Sequence, residues 1–376
     1  MNLKKTLYFL LLFVFGLFVS CEKDPVQEEK KPFRTVLVYL AANNSLASDA
    51  YANIDQMERG LGDIDGTLLV YARLPGQAPT LYRIVKDENV GIASEVVKVY
   101  SPHNSSDPEV MQHVIADAQA AYPATSYGLV LWSHASGWIP ADYGHIKLRS
   151  FGEDNQRTMD IKDLKFALPN GLDFLLFDAC SMASVEVLSE IADKADYVIA
   201  SPAEVVSSGM PYQSMVNDLF KPGEEAYRTI AEKYMQHYNG LNGLFRSATI
   251  SVIRMDKWAG FIDLTKKTLQ SAQPAYIDFH RDQLQRMDFD RFGNPLIAFD
   301  YLDFMAQNYG SSVRGELAAY LQELIPYKGA TPSFNGFPIE KFSGLTCYVP
   351  HADNASVHDY YKTLFWYQAA GFNRLF

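Results

Sequence analysis

The chain has 376 residues, 48% of them hydrophobic, and a formal net charge of -11 at pH 7. That apolar fraction is ample for a packed core. The acidic balance argues against nucleic acid as a partner, while an acidic surface tolerates or attracts basic peptides.

Residues 1–21 read as a lipoprotein signal peptide, outside the fold. Lys4-Lys5 make a positive start, and the apolar run over 7–19 is too short for a membrane span. Phe18-Val19-Ser20-Cys21 resembles a loose bacterial lipobox. It implies export, cleavage before Cys21 and lipidation of the Cys21 thiol. The protein would then be lipid-anchored in the cell envelope, on the periplasmic or surface face of an outer membrane. An ordinary signal peptide that happens to end near a cysteine is the other reading. Residues 22–33 are charged, lack apolar periodicity and read as a flexible tether. With Cys21 lipidated, only Cys180 and Cys347 remain, so no disulfide framework is expected. Cys347 lies in an apolar run and reads as a buried residue.

The folded part opens with a strand over 35–41 and an amphipathic helix over 44–61. A second strand follows at 67–72, then a hairpin-like or edge pair at 80–85 and 94–100. The pattern over 107–121 predicts a helix that ends before Pro123. Residues 127–133 and 172–178 are nearly continuous apolar runs, typical of strands buried on both faces of a parallel sheet. A helix-like stretch at 161–168 separates them. A helix at 182–191, a strand at 197–201, a helix at 224–238 and a last central strand at 248–254 complete the alternation. This order predicts a doubly wound α/β sandwich over 34–255. Beyond it, 257–271, 300–309 and 312–326 read as helices. Residues 256–376 are therefore expected to form a mainly helical subdomain packed on the core, with 343–349 returning to the sheet as a strand.

Two of these strands stop at a reactive residue, one at His134 and the other at Cys180. In open α/β sheets the ligand site lies outside the carboxyl ends of the strands, and both residues fall there. The pair fits a cysteine nucleophile with its base. The helix expected after Cys180 would favour its thiolate through the macrodipole. Each residue also has a plain structural reading, an inert buried cysteine and a satisfied histidine. His103, His113, His145 and His351 are scattered and show no metal-ligand spacing, so neither a metal nor another cofactor is called for. Trp138 fits packing better than a pocket wall. Glu204 fits either a place in the substrate cleft or a helix cap.

At His134-Ala135-Ser136-Gly137-Trp138 and Asp178-Ala179-Cys180 the chain resembles the clostripain family of cysteine peptidases, relatives of caspases and gingipains. Met182, Glu186, the stretch from Ala195 to Glu204, Gly209-Met210-Pro211-Tyr212 and Ser343-Gly344-Leu345-Thr346-Cys347-Tyr348-Val349-Pro350 extend the match. Order, spacing and strand context agree across roughly residues 34–350. The resemblance implies a caspase-like α/β sandwich and a cysteine endopeptidase acting on peptides or proteins as a monomer. Cys180 would be the nucleophile and His134 its partner. The backbone N–H groups of Ala135 and Cys180 would be the oxyanion donors. Asp178 matches the family residue thought to line the S1 pocket, which would favour cleavage after Arg or Lys. A structural cap at the strand end is the other role open to Asp178. Family members are often cut between the two catalytic strands. Residues 139–160 hold Lys147, Arg149 and Arg157, of which Lys147 and Arg149 are the favoured self-cleavage sites.

One departure is chemical. Ala135 stands where the family has glycine, keeping the N–H but adding a methyl group that disfavours a positive φ. Two rivals follow. One is a catalytically impaired family member acting as a surface peptide-binding or interaction protein. The other is a cysteine hydrolase with a different acyl substrate.

Overall fold

The computed structural model describes residues 31–140, 150–271, 279–289, 297–309 and 311–376. Cys21, Lys147 and Arg149, expected as lipidation and self-cleavage sites, lie outside the described residues.

Pro32–Phe376 form one compact unit around a nine-stranded sheet. In chain order its strands are β1 (Arg34–Ala41), β2 (Gly66–Arg73), β3 (Thr80–Arg83), β4 (Glu95–Val99), β5 (Ser126–Trp132), β8 (Leu172–Asp178), β9 (Ala195–Ala200), β10 (Thr249–Arg254) and β12 (Tyr327–Ala330). Between them lie a small hairpin of β6 (Phe151–Asp154) and β7 (Arg157–Met159), and the short strand β11 (Phe299–Asp300). The order across the sheet is β12-β10-β9-β8-β5-β1-β2-β3-β4. The five strands from β9 to β2 run parallel. Antiparallel strands close both edges, β10 and β12 on one side and β3 and β4 on the other.

The central strands are apolar throughout because both faces are covered. Along β1, Leu37, Tyr39 and Ala41 enter one core, while Val36, Val38 and Leu40 enter the other. Strand side chains alternate between faces, so a strand covered on both sides needs an unbroken apolar run. The second core is closed by α1 (Ala47–Gly60) through Ala50, Ile54 and Met57, at helical spacing. A further helix, Glu224–Asn239, covers the same face with Tyr227, Ile230, Ala231 and Tyr234. The first core is closed by α2 (Pro108–Ala121), α3 (Ile161–Ala167) and α4 (Val185–Glu190). Their starts are written in the sequence. Asp107 accepts from the N–H groups of Glu109 and Val110 ahead of Pro108. Asp160 caps α3 and Ser184 caps α4 in the same way.

The chain beyond residue 255 adds helices Trp258–Ser271, Tyr301–Tyr309, Ser311–Leu324, Ala355–Tyr361 and Phe365–Ala369. Their apolar side chains, including Phe261, Phe304, Leu317, Tyr361 and Trp366, join the first core. One strand expectation is corrected here, and one strand was not foreseen. From the 343–349 stretch only Thr346–Cys347 is a strand, and it pairs with Phe299–Asp300 rather than with the central sheet. The sheet edge is taken instead by Tyr327–Ala330, a short half-buried segment with no apolar run to announce it. There Gly329 is needed for close approach, because a Cβ would lie 2.5 Å from the Met235 side chain.

Candidate active site

The carboxyl ends of β1, β5, β8 and β9 lie along one edge of the sheet. Because β10 is antiparallel to β9 and β12 to β10, the segment before β10 and the segment after β12 reach the same edge. A cleft of about 480 Å³ opens there, and His134, Asp178 and Cys180 all line it. The three residues singled out from the sequence are therefore neighbours in one concave site.

His134 follows β5 and is about a quarter exposed. Its Nε2 lies 2.9 Å from Ser45 Oγ and 3.9 Å from Glu153 Oε2. Ser45 comes from the loop after β1, and the chain leaves β1 and β5 for opposite sides of the sheet. Such a switch point opens a crevice between neighbouring strand ends. Glu153 comes from the β6–β7 hairpin, whose turn at Asn155 and Gln156 has φ of 51° and 69°. The hairpin is tied to the histidine segment. Gly152 N–H donates to His134 O at 2.9 Å, Ser136 N–H to Ser150 O at 3.3 Å, and Glu153 N–H to Ser133 Oγ at 3.0 Å. Within the expected polar loop over 139–160, the β6–β7 hairpin thus places a carboxylate beside the ring.

The same bridge bears on Ala135. Ala135 faces Phe151, and the hydrogen bonds pass on either side of that pair, so the bridge does not use the Ala135 N–H. Positive φ among described non-glycine residues occurs only at Asn155, Gln156, Ser181 and Asn335. Ala135 needs no glycine-like backbone. The demanding glycine is Gly137, with φ of 67° and room for a Cβ only 2.9 Å from Ser181 O.

Cys180 follows β8 and is partly exposed. The helix after it starts later than the sequence suggests, at Val185, and has only six residues. Cys180 therefore does not sit at a helix N-terminus, and the macrodipole argument for its thiolate does not hold. The cause is local. Ser181 N–H donates to Ala203 O at 2.7 Å and Ala183 N–H to Ser201 O at 3.0 Å, holding the chain against the end of β9. Ser181 takes a φ of 60° in that turn. What the sulfur has instead is the Val205 backbone, whose N–H lies 3.3 Å and whose carbonyl oxygen lies 3.7 Å from Sγ. The N–H favours a thiolate, and the carbonyl accepts from the thiol.

Asp178 is buried at the end of β8. Its Oδ2 accepts from Met210 N–H at 3.0 Å and Tyr212 O–H at 2.9 Å. Its Oδ1 is buried with no hydrogen-bond partner among the described residues. Burial pushes the Asp178 carboxyl up to about 6, against the lowering effect of those two donors. Gly209 packs on it so closely that a Cβ would lie 2.6 Å from Oδ2. One oxygen of Asp178 thus fastens the loop after β9, and the residue lines the cleft.

Other residues fall as follows. Trp138 is buried against Tyr348 and Tyr361, with ring centroids 5.1 and 4.9 Å away, so it packs and does not wall the cleft. Glu204 lines the cleft and accepts from Phe289 N–H at 3.0 Å. Arg157 is in β7. Cys347 is 1% exposed, and burial raises its thiol well above the ordinary range. Sequence reasoning missed Ser45, Glu153, Val205 and the cleft-lining Leu244 and Phe245. Ser45 and Val205 follow strand carboxyl ends, which is a usable signal. Glu153 carries none, because its hairpin lies in a stretch that reads as polar loop.

A model of the clostripain family matches residues 38–363. An inactive zymogen C11 protease from Parabacteroides distasonis superposes with a TM-score of 0.79 and 31% identity, over 90% of this chain and 99% of that one. A secreted C11 cysteine protease from Bacteroides thetaiotaomicron, solved with an irreversible peptide inhibitor, gives a TM-score of 0.77 at 30% identity. That match covers 91% of this chain and 99% of that one. Among curated proteins no match was found.

Proposed function

We propose a mechanism on one premise: the chain belongs to the clostripain family and is a cysteine endopeptidase. In this reading Cys180 and His134 form the catalytic dyad, and cleavage follows Arg or Lys. The observation that carries it is that one cleft is lined by His134, Cys180 and Asp178, with Asp178 Oδ1 buried and lacking a hydrogen-bond partner among the described residues.

The Cys180 thiolate attacks the peptide carbonyl carbon. The oxygen, now an oxyanion, is held by the N–H groups of Ala135 and Cys180. His134, as imidazolium, gives its proton to the leaving amine as the C–N bond breaks. Water then attacks the thioester with His134 taking its proton, and the thiolate departs from the released carboxylic acid. Glu153 sets a negative charge beside the ring and Ser45 fixes its orientation. A substrate guanidinium or ammonium reaching Asp178 satisfies a buried carboxylate, which favours Arg most through paired hydrogen bonds.

The reading extends to the ends of the activity. Residues 1–21 direct export, Cys21 carries the lipid, and residues 22–33 tether a monomeric peptidase to the cell envelope. The strands that carry the dyad lie within 34–255, and 256–376 add mainly helices together with the edge strand β12. Self-cleavage falls at Lys147 or Arg149, basic residues between the two catalytic strands that match the preference of the pocket. Ala135, which motivates an impaired binding protein as the rival, keeps its N–H and needs no positive φ, and this favours the enzyme.

The decisive experiment is a fluorogenic peptide panel offered to the protein lacking residues 1–21. Cleavage after Arg and Lys is expected. Cleavage after acidic or apolar residues refutes the Asp178 assignment, and no cleavage refutes the dyad. Mass spectrometry of the mature N-terminus and sequencing of any internal cut test the anchoring and processing.

A further inference from the structure

Leu244 and Phe245 are 65% and 70% exposed, adjacent on the turn Gly243–Phe245 and at the rim of the catalytic cleft. Single exposed apolar side chains are ordinary, but two large neighbours at the edge of a concave site mark a contact surface. The turn is fastened. Ser247 Oγ donates to Leu244 O at 2.7 Å and itself accepts from Asn335 N–H at 2.9 Å, joining the turn to the segment after β12. In that segment Phe334 also lines the cleft, and it is stacked on Phe289 with centroids 5.2 Å apart and planes 13° off parallel. The apolar rim thus has a rigid back.

Sheet order supplies a direction. Along the carboxyl edge, His134 follows β5, Cys180 follows β8, Val205 follows β9, and Leu244 and Phe334 flank β10 and β12. The histidine protonates the leaving amine, so the C-terminal half of the substrate departs on the β5 side. The acyl half extends the other way, past Val205 toward Leu244 and Phe245.

We infer that the Leu244–Phe245 turn, backed by Phe334, is a subsite for a bulky apolar side chain on the N-terminal side of the scissile bond. The preferred substrates are then peptides in which Leu, Ile, Val or Phe precedes the basic residue. This rests on the dyad reading above for its direction.

The test separates the two. The full chain carrying Cys180→Ala is titrated with fluorescent peptides ending in Arg, with Leu and Phe or with Asp and Ser at the preceding positions. The apolar series binds about tenfold tighter, as expected for one largely buried side chain. In a Leu244→Ser, Phe245→Ser double variant with an unchanged melting temperature that ratio falls below about twofold. Equal affinities for both series, or a ratio untouched by the double variant, overturn the subsite. Tight, apolar-selective binding with no turnover by the Cys180-containing protein instead overturns the dyad and leaves the subsite standing.

Discussion

The two described cysteines sit in short apolar stretches of one fold, and their surroundings give them opposite characters. Cys180 is partly exposed in the cleft, takes an N–H from Val205 and shares the site with His134. Cys347 is sealed in the first core, with the carboxylates of Glu186 and Asp300 near enough to disfavour its ionisation further. A thiol reacts as its anion, so burial and the two carboxylates hold Cys347 back, whereas Cys180 is accessible and accepts an N–H. Each cysteine also has a buried carboxylate nearby: Asp178 is two residues before Cys180, and Glu186 lies beside Cys347. Asp178 lines the cleft and leaves Oδ1 without a hydrogen-bond partner among the described residues. Glu186 accepts from Tyr348 N–H and Tyr361 O–H, both at 2.8 Å, and holds the C-terminal segment down.

The sharpest break of this comparison is substitution of the sulfur atoms. Cys180→Ala is expected to lower peptide turnover by at least about a thousandfold with little change in stability. Cys347→Ala should keep the turnover and cost about 1–2 kcal/mol of stability through the small cavity it leaves. Alkylation of the protein lacking residues 1–21, followed by mass spectrometry, should label Cys180 and leave Cys347 unlabelled in the folded state. Comparable labelling of Cys347 would remove the distinction.

The next effect concerns Asp178. Its carboxyl is protonated below about 6, so the charge that pairs with a basic side chain appears only as pH rises through that value. For an Arg substrate kcat/KM should climb through about pH 6 more steeply than for an uncharged one. Asp178→Asn should lose roughly 1–3 kcal/mol of transition-state binding on Arg substrates, together with that extra limb. Identical pH profiles for both substrates would return Asp178 to a purely structural role.

The last effect, read in stability rather than turnover, belongs to Glu186. Burial pushes it up from 4.5 to about 7. The folded state then binds its proton more tightly than the unfolded chain. The stabilisation is fully present below about pH 4.5 and is lost as pH rises through about 7, at up to ~1.4 kcal/mol per pH unit. Glu186→Gln keeps an acceptor for Tyr348 and Tyr361 and should flatten the melting temperature between those values. A wild type with no fall across the window would contradict the assignment.

Most of the sandwich was legible in the chain, because strands covered on both faces must be unbroken apolar runs and helices on those faces must repeat at 3.6. The strand ends at His134 and Cys180 could be read for the same reason: the run stops where the sheet does. Edge elements left no such mark. Tyr327–Ala330 is half-buried, and the β6–β7 hairpin depends on a two-residue turn inside a polar stretch. The onset of α4 was misjudged because hydrogen bonds to the end of β9, far along the chain, hold residues 181–183 out of the helix.

The sequence by itself determined the alternation of strands and helices, the two reactive residues and the motifs they stand in, all of which depend on neighbours along the chain. Only the tertiary structure decided that Ser45 and Glu153 meet His134, that Val205 rather than a helix end supports Cys180, and that Leu244, Phe245 and Phe334 border the same cleft. Those juxtapositions follow from strand order and direction across the sheet. Residues brought to one edge by parallel and antiparallel neighbours have no local pattern in common, so no periodicity along the chain could announce them.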